Sequence, residues 1–506
     1  MPERYDVIVV GGGTAGCVIA GRLSEDPRKS VLLLERGPDP RPIPDVVSDP
    51  AQARRIRTET DFVSRYPTRR NFDGSGFDTL AARVMGGGST INLMSVTRPI
   101  RADFDAWVAA GNPAWSWEEM LPVMKRMETD RDYPESPLHG DSGPLHLERR
   151  LDFSDPLQGI EKALVEGAAS LGLPISPDQN GPEPFGISRT VANVKDGRRH
   201  SALEAYLAPA RSRDNLRITA EAQVLSLQIE KDRVTGVRYE KDGRAHSVSG
   251  GRVVLSAGVY HSPQILMLSG IGPRAELDRR GIRTVHALGG VGGNLQDHAV
   301  VTMRFEAARI EETDWLVPGF VVNGKSRPDR DDLDFHVYIR PPLVPARGED
   351  GKPIYPITVH LLEQRTRGNF TLRSADPRDP PGIDTLILED PEDAAAIVSA
   401  MRFVERLAGT GPMREFYGPL LQPGPDEDWA AHARSNFDSF RHGVGTCAMG
   451  PASSETAVVD PRLRVHGMEN LYIADASVIP VLPHAHTNHA CMMIAERFCE
   501  LLTETG

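Results

Sequence analysis

"DVIVVGGGTAGCVIAGRLSED", residues 6–26, decides the fold. An apolar β-branched run, "YDVIVV" at 5–10, meets three consecutive glycines, and "CVIAGRLSE" at 17–25 then carries apolar residues at helical spacing until Asp26-Pro27 stops it. "SVLLLE" at 30–35 follows as a second buried strand. Strand, glycine turn, helix and strand within about 30 residues make a βαβ unit, and that crossover requires a parallel sheet.

The turn also has a chemical reading. "GGGTAG" at 11–16 fits GxGxxG: Gly11 permits the turn, Gly13 lets the backbone approach a pyrophosphate, Gly16 lets the helix pack closely on the sheet, and the helix N-terminus favours the anion. Glu35 stands 19 residues after the last glycine, at the end of the second strand, placed to accept from a ribose hydroxyl. These residues call for a dinucleotide and leave NAD and FAD both open. A second glycine cluster, "RVMGGGSTIN" at 83–92, adds the backbone-rich surface that a longer cofactor lying across the domain needs.

Further out, "ADFDAWVAAGNPAWSWEEMLPVMKRMETD" at 102–130 predicts two helices around a GNP turn, the second opened by Ser116 with Glu119 three residues on, as in a capping box. Residues 47–80, from "VSDP" on, read as an extended excursion rich in Pro and Arg. Residues 215–257 read as alternating strands with turns at Asp232-Arg233 and Asp242-Gly243, 305–375 as short β patterns with proline-rich connections, and 391–409 as a helix. The fold class is therefore α/β: a Rossmann-like cofactor-binding domain from 1–150, 191–304 and 436–506, and a second, substrate-binding domain from 151–190 and 305–435 built on an antiparallel sheet with helices.

At 506 residues, with 25% charged and 40% hydrophobic residues, the chain has an ordinary globular balance. Its 58 Lys and Arg against 70 Asp and Glu leave a formal charge of −12, which gives no electrostatic reason to expect nucleic acid. Cys17, Cys447, Cys491 and Cys499 have neither disulfide-scaffold density nor metal-ligand spacing, so no metal site is expected and a reducing, cytoplasmic setting fits best. Neither a signal peptide nor a membrane span is expected, because no apolar stretch reaches 18 residues.

Ten motifs carry a family resemblance along nearly the whole chain. Besides residues 6–26 they are "ARVMGGGSTINLM", "DFDAWVAAGNPAWSWEEMLP", "HGDSGPL", "GRRHSALEAYLAPA", "HSPQILMLSGIGP", "GVGGNLQDH", "RHGVGTCAMG", "VHGMENLYIADASVIP" and "TNHACMMIAE". In this order they resemble the glucose-methanol-choline oxidoreductases, flavoproteins that oxidise alcohols. The resemblance implies FAD as cofactor. It implies that Gly11, Thr14, Ala15 and Gly16 meet the diphosphate and that Glu35 and Arg36 border the adenosine ribose. Gly86, Gly87, Ser89, Asn92, Leu93 and Met94 would contact the diphosphate, ribityl and flavin ring, and the Val224 backbone the adenine. Asp475, Ala476, Thr487 and Asn488 would lie near the ribityl and pyrimidine edge. Some members attach the flavin through a histidine where this sequence has Ile91, so FAD is expected to be held non-covalently.

The same resemblance puts His442 of "RHGVGTCAMG" at the family's catalytic histidine and His486 at its partner, where many members carry Asn and the aryl-alcohol oxidases His. A base must reach the substrate hydroxyl as the carbonyl forms, and a histidine with an ordinary pKa of about 6.5 is mostly neutral and able to accept near pH 7. His298, His484 and His489 are expected to be packing or supporting residues, Cys447 and Cys491 small buried ones, and Ser262 with Pro263 the start of a helix. Phe335 and Tyr338 of "DLDFHVYIRPPLVPARG" are expected in the substrate pocket. The implied reaction is oxidation of a small-molecule alcohol, primary and aromatic or allylic, to the aldehyde or ketone, with dioxygen or another acceptor taking the electrons. The alternative within the same fold is a non-redox lyase of the hydroxynitrile type or a photodecarboxylase.

Overall fold

The computed structural model describes residues 4–311, 318–339, 346–348 and 351–504. The opening stretch forms β1 (Arg4–Val10), α1 (Thr14–Leu23) and β2 (Val31–Leu34), with β1 and β2 parallel and Val7 opposite Val31. Leu216–Thr219 joins β2 in parallel on one side, and Arg244–Leu255 joins β1 in parallel on the other. Leu471–Ile473 adds a further parallel strand, while Gln223–Glu230 and Arg233–Lys241 make an antiparallel extension. Ile8, Val9, Val31 and Leu33 have no exposure at all, which is why these strands read as unbroken apolar runs; both faces of a parallel sheet are covered.

The helices expected around the GNP turn are Arg101–Ala109 and Trp117–Met127, and Ser116 Oγ accepts from the Glu119 N–H at 3.4 Å. Two local expectations are corrected. The stretch from 47 to about 80 holds short helical turns and nearly all of an antiparallel hairpin, Val63–Arg69 with Gly76–Ala82; Pro67 argues against a strand, yet a two-stranded ribbon has open edges where a missing N–H costs nothing. Ser262 and Pro263 lie inside the helix Gly258–Leu268, whose start is held instead by Asp475 accepting from the Gly258 N–H at 2.9 Å. Pro263 cannot bond the Val259 carbonyl, and the Thr446 hydroxyl donates to it at 2.5 Å.

Among the described residues the second sheet has nine strands, including in spatial order Tyr417–Gln422, Ala299–Ala307, Pro353–Leu361, Phe335–Ile339, Phe320–Gly324 and Gly186–Arg189. Its central strands alternate. Val301, Met303, Phe335, Val337, Ile339, Ile357 and Val359 pack with the helices Gly159–Ser170, Pro391–Ala408 and Trp429–Asn436. Their sequence neighbours Val300, Thr302, Thr358 and His360 point the other way, into a cavity shared with the first sheet. Residues 340–345, part of the stretch expected to wall the pocket, lie outside the described residues.

A buried ionic cluster sits beneath the C-terminal helix Thr487–Thr503. His139 Nδ1 lies 2.8 Å from Glu128 and Nε2 2.8 Å from Asp178, Arg149 bonds Asp130 and Asp178 at 2.8 Å each, and Arg98 bonds Glu128 at 3.2 Å. The ligand atoms of Glu128, Asp130 and His139 lie within 4.8 Å of one another, but the two guanidinium groups already balance those carboxylates. Among the described residues no helix is long and apolar enough to cross a membrane.

Candidate active site

A cavity of about 500 Å³ runs from Val224 and Gln264, past the first glycine turn, to His442 and His486 against the second sheet. Most residues expected to hold a cofactor line it: Gly11, Gly13, Thr14, Ala15, Glu35, Arg36, Gly87, Asn92, Leu93, Val224, Asp475, Ala476, Thr487 and Asn488. Ile91 lines it too. The walls fit an elongated dinucleotide. A Cβ on Gly13 would find its nearest neighbour 3.8 Å away and project into the cavity, whereas one on Gly16 would stand 1.9 Å from the Gly11 carbonyl oxygen. Gly13 thus leaves room for a ligand, and Gly16 leaves room for the protein's own turn.

Four expected residues do not face the cavity. Gly16 packs α1 on the sheet; Gly86, at φ 88°, donates its N–H to the Gly12 carbonyl at 2.7 Å. Ser89 Oγ bonds back to the Gly86 carbonyl at 2.6 Å, and Met94 is buried with Val84, Ile91 and Val194. They shape the second glycine turn and tie it to the first. Thr14 completes the tie, bonding Asn488 at 3.0 Å and accepting from the Ser89 N–H at 3.1 Å. Glu35 accepts from the Gly12 and Gly37 N–H groups at 2.7 Å each, so its first task is to close the turn; burial pushes its pKa up, and those N–H groups oppose the rise.

The histidines are oriented by a chain of hydrogen bonds. His298 Nε2 stands 3.1 Å from the Leu362 carbonyl and 3.0 Å from the Pro483 carbonyl, so it carries the hydrogen. In neutral His298 the other nitrogen, Nδ1, is then an acceptor, and the group 2.9 Å from it is His442 Nδ1. His442 must donate through Nδ1. Its Nε2 is left as an acceptor without a hydrogen-bond partner among the described residues, on a ring that lines the cavity. His486 follows the same logic, with Nδ1 2.9 Å from the Ser95 carbonyl and Nε2 3.2 Å from the Tyr338 hydroxyl. The two rings are 5.2 Å apart, and Phe440 lies 4.1 Å from the His442 ring.

Burial, with His298 and His486 beside it, pushes the His442 pKa well below the ordinary value and keeps the ring neutral. Burial likewise holds His298 at about 3. Asp297 fixes the His442 backbone by accepting its N–H at 2.8 Å, and Arg441 just before it takes φ 65°, an uncommon conformation for a non-glycine residue that turns the chain sharply into the site.

Residues 5–300 match the GMC oxidoreductase family's N-terminal profile, and residues 364–495 its C-terminal profile. The chain belongs to the GMC oxidoreductase family. Choline oxidase from Arthrobacter globiformis is 35% identical over 99% of this chain and 94% of its own length. An alcohol dehydrogenase (acceptor) from Pseudomonas putida is 32% identical over 98% of this chain and 95% of its own. Among solved structures, pyridoxine 4-oxidase from Mesorbium loti superposes with a TM-score of 0.92 at 27% identity, covering 99% of both chains. This GMC oxidoreductase is accordingly an FAD-dependent enzyme acting on CH–OH donors.

Several expectations for this GMC oxidoreductase shift in detail. Phe335 is corrected: it lies on the helix-covered face against Phe403, 2% exposed, and lines no part of the cavity. Tyr338, on the opposite face, is buried and does not line the cavity either; it stands behind His486, with its hydroxyl 3.2 Å from Nε2. His484 is held between Asp103 at 2.6 Å and Glu363 at 3.1 Å; burial opposes its charge, but the two carboxylates outweigh that and raise it to about 10. His489 is buried against Glu128 at 3.6 Å. Two contributors belong to no motif in the sequence. His336 meets His486 edge-on with ring centres 6.1 Å apart, and Arg57, from the Arg-rich excursion, lines the cavity.

Proposed function

We propose that this protein oxidises a primary alcohol, aromatic or allylic, to its aldehyde, with His442 as the base. The observation that carries the proposal is the bare Nε2 of His442, facing the cavity at the end of a hydrogen-bond chain anchored on two carbonyls. FAD, when bound, supplies a two-electron acceptor beside the carbinol carbon. Segments 1–150, 191–304 and 436–506 hold it, and segments 151–190 and 305–435 bound the substrate. With Ile91 at the position that other members use for attachment, FAD is held without a covalent bond.

The protein's own part is proton handling and enclosure. The substrate hydroxyl donates to His442 Nε2, which a neutral, buried imidazole accepts without first losing a proton. His486, with Tyr338 on its Nε2, borders the same oxygen and takes a proton only when His442 holds none, because two adjacent imidazolium ions repel. Phe440 and Val300 exclude water from the reacting oxygen. Electrons pass on to dioxygen or another acceptor. Free cysteines, three of them buried, agree with a cytoplasmic setting.

The test is the flavin absorbance of purified protein titrated anaerobically with aromatic, aliphatic and sugar alcohols, then opened to air. Bleaching by a primary aromatic or allylic alcohol is expected. Recolouring with peroxide release makes dioxygen the acceptor, and slow recolouring makes it another compound. No bleaching by any alcohol overturns the proposal in favour of non-redox chemistry.

A further inference from the structure

Arg57 stands out in the cavity wall. It sits on the short helix Ile56–Glu59, which packs through Ile56 beside Ile91 and Leu93. Its Nε is buried and has no hydrogen-bond partner among the described residues. A buried N–H without a partner is costly, and this side chain lines the cavity that contains His442.

Charge around Arg57 is predominantly positive. Arg441, next in sequence to His442, lines the same wall, and its Nε is also buried without a partner among the described residues. Asp438 pairs with Arg441 Nη2 at 2.9 Å and is the carboxylate at this end of the cavity; Glu35 and Asp475 line its cofactor side with their oxygens committed to backbone groups. With Asp438 taken up by Arg441, Arg57 has no ion-pair partner among the described residues. Burial and the like charge of Arg441 pull the Arg57 pKa down to about 10, still far above neutrality, so the charge persists when the cavity is empty of anions.

We infer that Arg57, supported by Arg441, is an anion subsite, and that the alcohol this protein oxidises carries a carboxylate. An unpaired guanidinium matches one carboxylate, to which it presents two parallel donors. The inference rests on the alcohol-oxidation proposal and narrows it. It also separates this protein from the substrate named for its choline-oxidising relative, because among the described residues Asp438, the carboxylate at this end of the cavity, is already paired with Arg441.

The experiment compares 4-(hydroxymethyl)benzoate with benzyl alcohol on the holoenzyme and titrates benzoate and benzamide as non-reacting probes, read by perturbation of the flavin spectrum. The carboxylated alcohol should have a kcat/KM at least about tenfold above its neutral isostere, mainly through KM, because the isostere lacks the charge-assisted bond to the guanidinium. Benzoate should bind at least about tenfold tighter than benzamide, and in Arg57→Met both ratios should fall toward one. Equal KM for the two alcohols, or equal binding of benzoate and benzamide, overturns the subsite even where Arg57→Met does not fold. A preference for hydroxymethylphenyl phosphate over the carboxylate overturns the choice of carboxylate. If benzoate binds through Arg57 and neither alcohol bleaches the flavin, the anion subsite stands and the alcohol proposal fails.

Discussion

His298→Phe isolates the device that sets the His442 tautomer. The substitution removes the nitrogen 2.9 Å from His442 Nδ1 and leaves a buried ring of similar size. His442 then either keeps an orphaned N–H on Nδ1 or moves that hydrogen to Nε2, where it blocks acceptance of the substrate proton. An unsatisfied buried donor costs about 1–3 kcal/mol, and either route carries that cost into the reacting state. At about 1.4 kcal/mol per tenfold, anaerobic flavin reduction in a rapid-mixing assay should slow by about 5- to 150-fold with FAD still bound. His298→Gln, whose carbonyl can accept from Nδ1, should recover part of the loss, which a merely space-filling role for His298 would not produce. Reduction at the wild-type rate in His298→Phe refutes the reasoning.

The two glycines of the first turn should separate. Gly13→Ala should fold and lose FAD affinity, measured by cofactor release on dilution, while Gly16→Ala should lower thermal stability, overpacking being worth about 1–3 kcal/mol. Tyr338→Phe removes the hydroxyl 3.2 Å from His486 and should slow flavin reduction by no more than about tenfold. Stability should fall at both pH extremes, read as melting temperature against pH. Burial opposes charge on His139, but Asp178 and Glu128 raise it to about 9, and His484 stands at about 10; their contributions are complete below pH 6.5 and fade as pH rises through those values. Burial raises Asp178 and Glu363, but their cationic partners outweigh it and hold both at about 2, so their contributions are present above the ordinary carboxylate range and lost as pH falls through about 2.

The βαβ unit was legible because three constraints coincide in a short stretch: apolar strands buried on both faces, glycines where a Cβ would collide, and an acid at the second strand's end. His442 was legible only as a motif position. Its chemistry depends on carbonyls at Leu362 and Pro483, which stand 64 and 185 residues from His298 along the chain and are brought to it by folding alone. The two-residue period of a strand is enough to correct the pocket reading. Phe335 and Tyr338 differ by three positions and cannot share a face of one regular strand, so the face that meets His486 holds Tyr338 and His336 and excludes Phe335. Pro67 masked a hairpin that a two-stranded ribbon tolerates. Arg57 was hidden because arginines in an irregular stretch normally point to water, and only burial distinguishes this one.

The central claim is that His442 takes the hydroxyl proton, and anaerobic flavin reduction in His442→Ala tests it most directly. The variant should retain FAD, because His442 contributes none of the contacts of the glycine turns, and reduction by the best alcohol should fall by about 10²- to 10⁴-fold, the range for loss of a positioned base. A variant that holds FAD and is reduced at an undiminished rate would contradict the claim and move the base elsewhere, with His486 the first residue to examine.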